Sequence, residues 1–391
     1  MLQVENNRVE RLVPLFTTFL LLITLIIILA FPSYLSADFK TNNQTGQITI
    51  VEKDEKNKVG VTISPVLFYS PETKLAFGAV GLLTYRFGLF FKQARPSTLY
   101  LGAVYTLKKQ FSFQLKPEIY LKNNSIFLTG NFLAERFPTK FWGVGANTDE
   151  SWQENYTPQT YFMEIGYQRK LFPSTPLYLG LKYHLERCQI LEKEPGKLLD
   201  EGLISGSRGG LLSGLGLIIS FDSRDNIFWP SSGYYFQVFG FWNNQIFGSD
   251  FNYLSFKLDL RDYILVSDRQ ILAFQAVFDT SQGEAPFYKL PKIGGDSLLR
   301  GYYSGRFRDK NLLAFQAEYR FPIWKRFSGV VFGAMGNLGD RLRDFTWDTL
   351  KYSAGFGLRF KIIPSEKTNL RIDFAFGPGT TGIYFKAGES F

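Results

Sequence analysis

The sequence predicts an all-β fold: a 16-stranded antiparallel transmembrane β-barrel covering residues 59–391. Three observations predict it. Strand formers dominate the composition. Charges recur at every second position inside apolar runs. Short connections alternate with long ones. Of 391 residues, 40 are Phe, 21 are Tyr and 36 are Gly, a mixture that suits strands better than helices. Mean hydropathy is −0.07, too low for a bundle of membrane helices. A barrel fits, because only every second residue of its strands meets lipid.

The chain begins with an export pattern. Arg8 and Arg11 precede an apolar run from Pro14 to Phe31, and Ser-Tyr-Leu-Ser-Ala leads to Asp38. Residues 1–37 read as a signal peptide cleaved after Ala37, which directs the chain to the bacterial outer membrane. Leu35 is bulky for such a site, and the run could span a bilayer. A retained inner-membrane anchor is therefore the competing reading. Residues 38–58 are polar and read as a short periplasmic leader.

After Val59, segments of about ten residues alternate with period two. In TNLRIDFAF, Leu370, Ile372, Phe374 and Phe376 point one way, and Asn369, Arg371, Asp373 and Ala375 the other. In LSFKLDLR, Leu254, Phe256, Leu258 and Leu260 oppose Ser255, Lys257, Asp259 and Arg261. In LAFQAEYRF, Leu313, Phe315, Ala317, Tyr319 and Phe321 oppose Ala314, Gln316, Glu318 and Arg320. Such charges would be costly in the core of a soluble sandwich, whereas a barrel has one face in lipid and one in water. Sixteen segments follow, from 59–70 to 381–391. An even count closes an antiparallel barrel with both ends in the periplasm. The long links 137–157, 192–208 and 282–310 read as surface loops. Asn123-Asn124, Ser267-Asp268 and 364–367 read as periplasmic turns.

The net charge of +9 is dispersed, and no basic run suggests nucleic-acid binding. The basic residues read as a solvated lumen and loops, or as contacts to lipopolysaccharide phosphates. Cys188 is the single cysteine, so no internal disulfide is available. His184, the single histidine, shares the lumen face with Lys182 and Glu186 and reads as wetted. No metal-ligand spacing or phosphate-cradling glycine loop occurs, so no cofactor or metal is expected.

Three stretches exceed a generic barrel. These are GGDSLLRGYYSGRFRD (294–309), FDSRDNIFWPSSGYYF (221–236) and FKAGESF (385–391). Together they resemble the BamA/TamA family of outer-membrane assembly and translocation proteins, the bacterial surface antigen family. The resemblance implies a sixteen-stranded barrel whose sixth surface loop folds into the lumen. Arg300, Gly301 and Tyr302 match its loop motif. Asp222, Arg224, Asp225, Asn226, Pro230 and Gly233 match its turn motif. Phe385, Gly388 and Phe391 match its C-terminal strand, which implies an assembly signal in which Phe385 and Phe391 share strand parity.

An arginine aimed into a lumen needs a carboxylate, and inward-facing Glu318 in Glu-Tyr-Arg-Phe-Pro resembles the family's strand motif. Bidentate pairing would latch the loop, and Gly301 would let the backbone pass close to the wall. The family commonly offers an Asp on the next strand, where this chain has Ala334, so the latch is expected to be weaker or differently paired, with Glu318 carrying more of it than its family counterpart. The family usually carries POTRA domains, and about twenty residues precede this barrel, so the chain reads as a member lacking them. The expected role is outer-membrane biogenesis or protein or lipid translocation, not enzymatic. A passive pore and an outer-membrane hydrolase using His184 are the alternatives. Expected partners are outer-membrane lipids, lipopolysaccharide, the assembly machinery and an unidentified periplasmic partner.

Overall fold

The computed structural model describes residues 39–42, 47–51, 60–70, 74–86, 95–363 and 367–391. The signal-peptide reading at 1–37 lies outside them. In chain order the strands are β1 (Phe39–Asn42), β2 (Gln47–Val51), β3 (Gly60–Ser70), β4 (Lys74–Tyr85), β5 (Ser97–Thr106), β6 (Phe111–Leu121) and β7 (Ile126–Arg136). Next come β8 (Thr139–Phe141), β9 (Glu154–Lys170), β10 (Leu177–Lys193), β11 (Gly209–Asp222), β12 (Gly233–Asn243), β13 (Tyr253–Ser267) and β14 (Gln270–Gly283). The last seven are β15 (Lys292–Ile293), β16 (Phe307–Arg308), β17 (Asn311–Trp324), β18 (Phe327–Gly339), β19 (Lys351–Ile363), β20 (Thr368–Gly377) and β21 (Thr380–Ala387).

Nineteen of them form one antiparallel sheet, and β15 and β16 form a separate ribbon. From β3 onward the wall advances strand by strand. Short β8 is an addition on β9, so β7 pairs directly with β9, and β14 pairs with β17 across the excursion that holds the ribbon. The segment read as a polar leader contains two strands. β1 pairs with β2, and β2 lies along β3 with Ile48 opposite Ile63. Among the described residues no ladder joins β21 to β3.

The wall inverts the usual order of a folded protein. On β17, Gln316, Glu318 and Arg320 are buried while Phe315 and Tyr319 are exposed. On β20, Arg371 and Asp373 are buried while Ile372 and Phe376 are exposed. On β13, Asp259 is buried while Leu254, Phe256 and Leu260 are exposed. The alternation therefore places ions inside and apolar rings outside, which is stable only where the outer face meets hydrocarbon.

The C-terminal strand differs from expectation. The alternation predicts a strand to Phe391, but the strand stops at Ala387. Gly388 takes φ +87°, a left-handed backbone that glycine adopts without a Cβ clash, and this turns the chain inward. Phe385 stays on the outer face, 64% exposed, whereas Phe391 is 5% exposed inside. The expected shared parity of Phe385 and Phe391 fails for that reason.

The inverted wall makes a direct prediction. Leu217 is 63% exposed near the middle of β11. Leu217→Lys should cost about 2–4 kcal/mol when the chain is refolded into vesicles and unfolded with urea. Lys257→Gln, on the inner face, should cost less than about 1 kcal/mol, since its pair with Asp279 is half exposed. Equal costs would refute the assignment of faces.

Candidate functional site

The excursion between β14 and β17 folds back inside the wall. The β15–β16 ribbon turns Ile293 and Phe307 toward Leu312, Ala314 and Leu338 of β17 and β18. Leu299 and Tyr302 join the same apolar cluster, so the motif between them is held from both sides. Gly301 sits at φ +111°, and a Cβ there would lie 3.3 Å from the backbone of Phe376. Its N–H donates to the Tyr384 hydroxyl at 2.9 Å, and its carbonyl accepts from Thr380 at 2.7 Å. Tyr302 donates to the Tyr352 carbonyl at 3.2 Å. Glycine is required here because the loop backbone takes a left-handed turn against the β20 backbone while bonding to side chains of β21.

These anchors deliver Arg300 to the centre of a buried ionic network. Its guanidinium donates to Glu318 at 2.7 Å and to Asp373 at 2.8 Å, and lies 3.4 Å from the Phe332 ring centroid. Glu318 also binds Arg320 at 2.8 Å and Ser390 at 2.7 Å. Asp373 also binds Arg359 at 2.5 Å and Arg371 at 2.7 Å. Arg359 continues to Glu389 at 2.7 Å, and Arg371 continues to Asp296 of the loop at 3.3 Å. Four arginines thus alternate with four carboxylates. Ions removed from water are tolerable only when paired in this way.

The latch is differently paired: the bidentate pair expected between Arg300 and Glu318 is split, one guanidinium nitrogen going to Glu318 and the other to Asp373. Ala334 does leave β18 without a carboxylate, but Asp373 of β20 supplies the second partner. Asp373 was already read as inward-facing, but only the curvature of the wall could bring it to Arg300. Asp296 adds an outer tether through Lys386 at 2.5 Å. Burial alone would raise the Asp296 carboxyl, but Lys386 and Arg371 outweigh it and hold it below the usual carboxylate range.

The turn motif meets the same network. Asp222 accepts from Arg224 at 2.9 Å and pairs with Arg95. Asp225 accepts the backbone N–H of Ser231 at 2.8 Å, and Asn226 accepts those of Phe228 and Trp229 at 2.8 Å. Pro230 is buried in the turn, and Gly233, at φ +100°, begins β12. This rigid turn sends Trp229 inward against Val330, Phe332 and Ala375, with its ring 5.1 Å from the Arg320 guanidinium carbon. Both motifs stand out in the sequence, but their contact does not. Trp229 lay within the quoted stretch without being singled out. The inward C-terminal segment closes the third side: Phe391 packs with Tyr263 and Ala273, and its carbonyl oxygen accepts from Arg320 at 3.3 Å.

His184 lies apart from this network. It was expected to be wetted, but it is buried, stacked on Phe241 with ring centroids 4.3 Å apart and bonded to Asn243 at 2.5 Å. Its hydrogen bond goes to an amide, not a serine.

A wall that is apolar outside and ionic inside, with a loop pinned across its interior, defines the outer-membrane β-barrel class. The Omp85 superfamily domain matches residues 97–391, and the chain belongs to the Omp85 superfamily. Members of that superfamily are outer-membrane transporters and insertases. The fold is similar to that of BamA from Haemophilus ducreyi lacking POTRA domains 1-3. The TM-score is 0.54 at 16% identity, covering 90% of this chain and 74% of that one. It is also similar to CdiB from Escherichia coli, with TM-score 0.52 at 10% identity, covering 90% of this chain and 66% of that one. CdiB from Acinetobacter baumannii gives TM-score 0.50 at 12% identity, covering 88% of this chain and 62% of that one. The chain thus spans less than two thirds of either CdiB. At these identities the likeness concerns the fold alone. No protein of curated function matches the chain by sequence.

The network predicts strong coupling. Arg300→Ala leaves two buried carboxylates short of a cation and should cost about 3–5 kcal/mol of loop anchoring. A double-mutant cycle with Glu318→Ala or Asp373→Asn, read by protease cleavage of the loop in folded protein, should be non-additive. Strictly additive costs would mean that Arg300 does not meet these carboxylates. Gly357→Ala offers a steric check, because its Cβ would lie 2.1 Å from an Asp373 carboxylate oxygen. It should weaken anchoring by about 1–3 kcal/mol without removing any charge. The Asp296 tether, having a lowered pKa, is fully present at neutral pH and is lost as pH falls through that value.

Proposed function

We propose that this chain is a sixteen-stranded outer-membrane barrel serving outer-membrane biogenesis, by moving protein or lipid, with its inward loop as a latch. Setting aside short β1, β2 and β8, the sheet offers sixteen long strands, the even number an antiparallel barrel needs. Closure would bring β21 to the β3 edge, which β2 occupies in the described state. A strand edge that accepts one added strand can accept another, so this seam is the natural place for a polypeptide to engage by strand addition. Export by the 1–37 signal places the barrel in the outer membrane. There its outer face meets lipid and lipopolysaccharide. The C-terminal residues Phe385, Gly388 and Phe391 serve the assembly machinery before folding, since Phe391 is buried afterwards.

The observation that carries this reading is Arg300 held between Glu318 and Asp373. A desolvated ion network contributes little net stability, but it specifies one position for the group it holds. A passive pore gains nothing from fixing a loop across its own lumen, whereas a barrel that must stay sealed between clients does. Reconstituted protein should show low conductance in planar bilayers, and deletion of 294–309 should raise it. Large, stable channels from the intact chain would instead favour the passive pore. Vesicles containing the chain should also fold an added unfolded outer-membrane protein faster than empty vesicles do. Equal rates would sink the insertion role.

A further inference from the structure

The ribbon that carries the latch has a second face. Ile293 and Phe307 face β17 and β18, so Lys292 and Arg308, which are cross-strand partners, face the opposite way. That side looks onto the β7–β10 part of the wall, where Glu135, Glu186 and Tyr156 lie nearest. Two cations directly opposite one another on a ribbon repel.

Arg308 sharpens the point. Among the described residues five arginines are buried: Arg300, Arg308, Arg320, Arg359 and Arg371. The other four each form ion pairs with carboxylates. Arg308, 3% exposed, forms none among the described residues. Its terminal nitrogens donate to the carbonyls of Phe287 and Gly305 at 3.3 Å, and its Nε has no partner. The rings of Phe141 and Phe287 flank it at 5.1 and 5.5 Å, and the Tyr156 hydroxyl is within reach. Nearby Glu186 is already taken by Lys289. Lys292 has no hydrogen bond or ion pair among the described residues. Its side chain is exposed, with the Glu135 carboxylate close by. Burying a guanidinium without a counter-charge is costly, so Arg308 calls for an anion, and exposed Lys292 beside it can help to hold one.

We propose that Lys292 and Arg308 form a binding site for a phosphate group inside the wall, separate from the latch. Arginine offers a planar fork, lysine a point charge from the facing strand, and Tyr156 a hydroxyl from the wall. Donors arriving from several directions suit a tetrahedral oxyanion better than a planar carboxylate, which the arginine fork alone would satisfy. The phosphate is either free or carried by a lipid headgroup. This site does not depend on the translocation reading, because it requires only the ribbon and the β7–β10 wall.

The test is titration of the purified full chain in detergent with inorganic phosphate, followed by calorimetry and by thermal stability. Saturable binding, weakened about tenfold or more in Lys292→Gln and in Arg308→Gln, is expected. Lys292→Gln keeps the test decisive if Arg308→Gln fails to fold, since Lys292 holds no partner in the described structure. A second arm titrates short-chain phosphatidic acid in mixed micelles. Tighter binding than inorganic phosphate assigns a lipid headgroup, and weaker binding assigns free phosphate. Absence of saturable binding in both arms, or equal binding by wild type and Lys292→Gln, overturns the site.

Discussion

A guanidinium inside a protein wall cannot keep its charge without anions close by, and Arg300 sets that constraint for everything around it. Glu318 and Asp373 answer it directly. Each then needs further cations to share its charge, and Arg320, Arg359 and Arg371 supply them. Those arginines in turn draw in Glu389, Asp296 and the Phe391 carbonyl. The network therefore ties four separate pieces of chain together: the loop, the β17–β20 wall, the turn carrying Trp229 and the C-terminal segment. Removal of any one member leaves a desolvated charge elsewhere, which is why the parts behave as one unit.

The inverted wall makes such a network permissible. The outer face presents rings and aliphatic side chains, and the inner face presents ions. In water this arrangement would expose a broad apolar surface and bury charge without return. In a bilayer the outer face is solvated by hydrocarbon, and backbone pairing within the sheet leaves the polar groups of the spanning strands satisfied. The interior then becomes a place where the protein can hold charge in fixed positions. Two such positions emerge, one closed on itself around Arg300 and one at Arg308, which forms no ion pair among the described residues.

The seam follows from the same logic. An antiparallel wall of sequential strands has two end strands, and each carries a row of unpaired backbone groups unless something covers it. β2 covers β3, and β21 is not joined to it among the described residues. A strand already added at that edge shows how readily its backbone groups accept a partner.

Much of this was legible in residue order. Period-two alternation determined which side of β13, β17 and β20 is ionic, because side chains on a strand alternate strictly. It marked Glu318, Arg320, Arg371 and Asp373 as inward, and the loop and turn motifs stood out as stretches with composition of their own. Local order could not say which inward acid meets which inward base. That depends on the curvature and stagger of the whole wall, which bring Asp373 of β20 beside Arg300 some seventy positions earlier. The inward turn at Gly388 escaped a strand reading for a related reason, since the alternation continues in the letters although the backbone leaves the sheet. Trp229 and Arg308 likewise looked like ordinary turn and loop residues. Their surroundings come from segments far away in the chain, and only the assembled wall decided that one seals the latch and the other stands without a counter-ion.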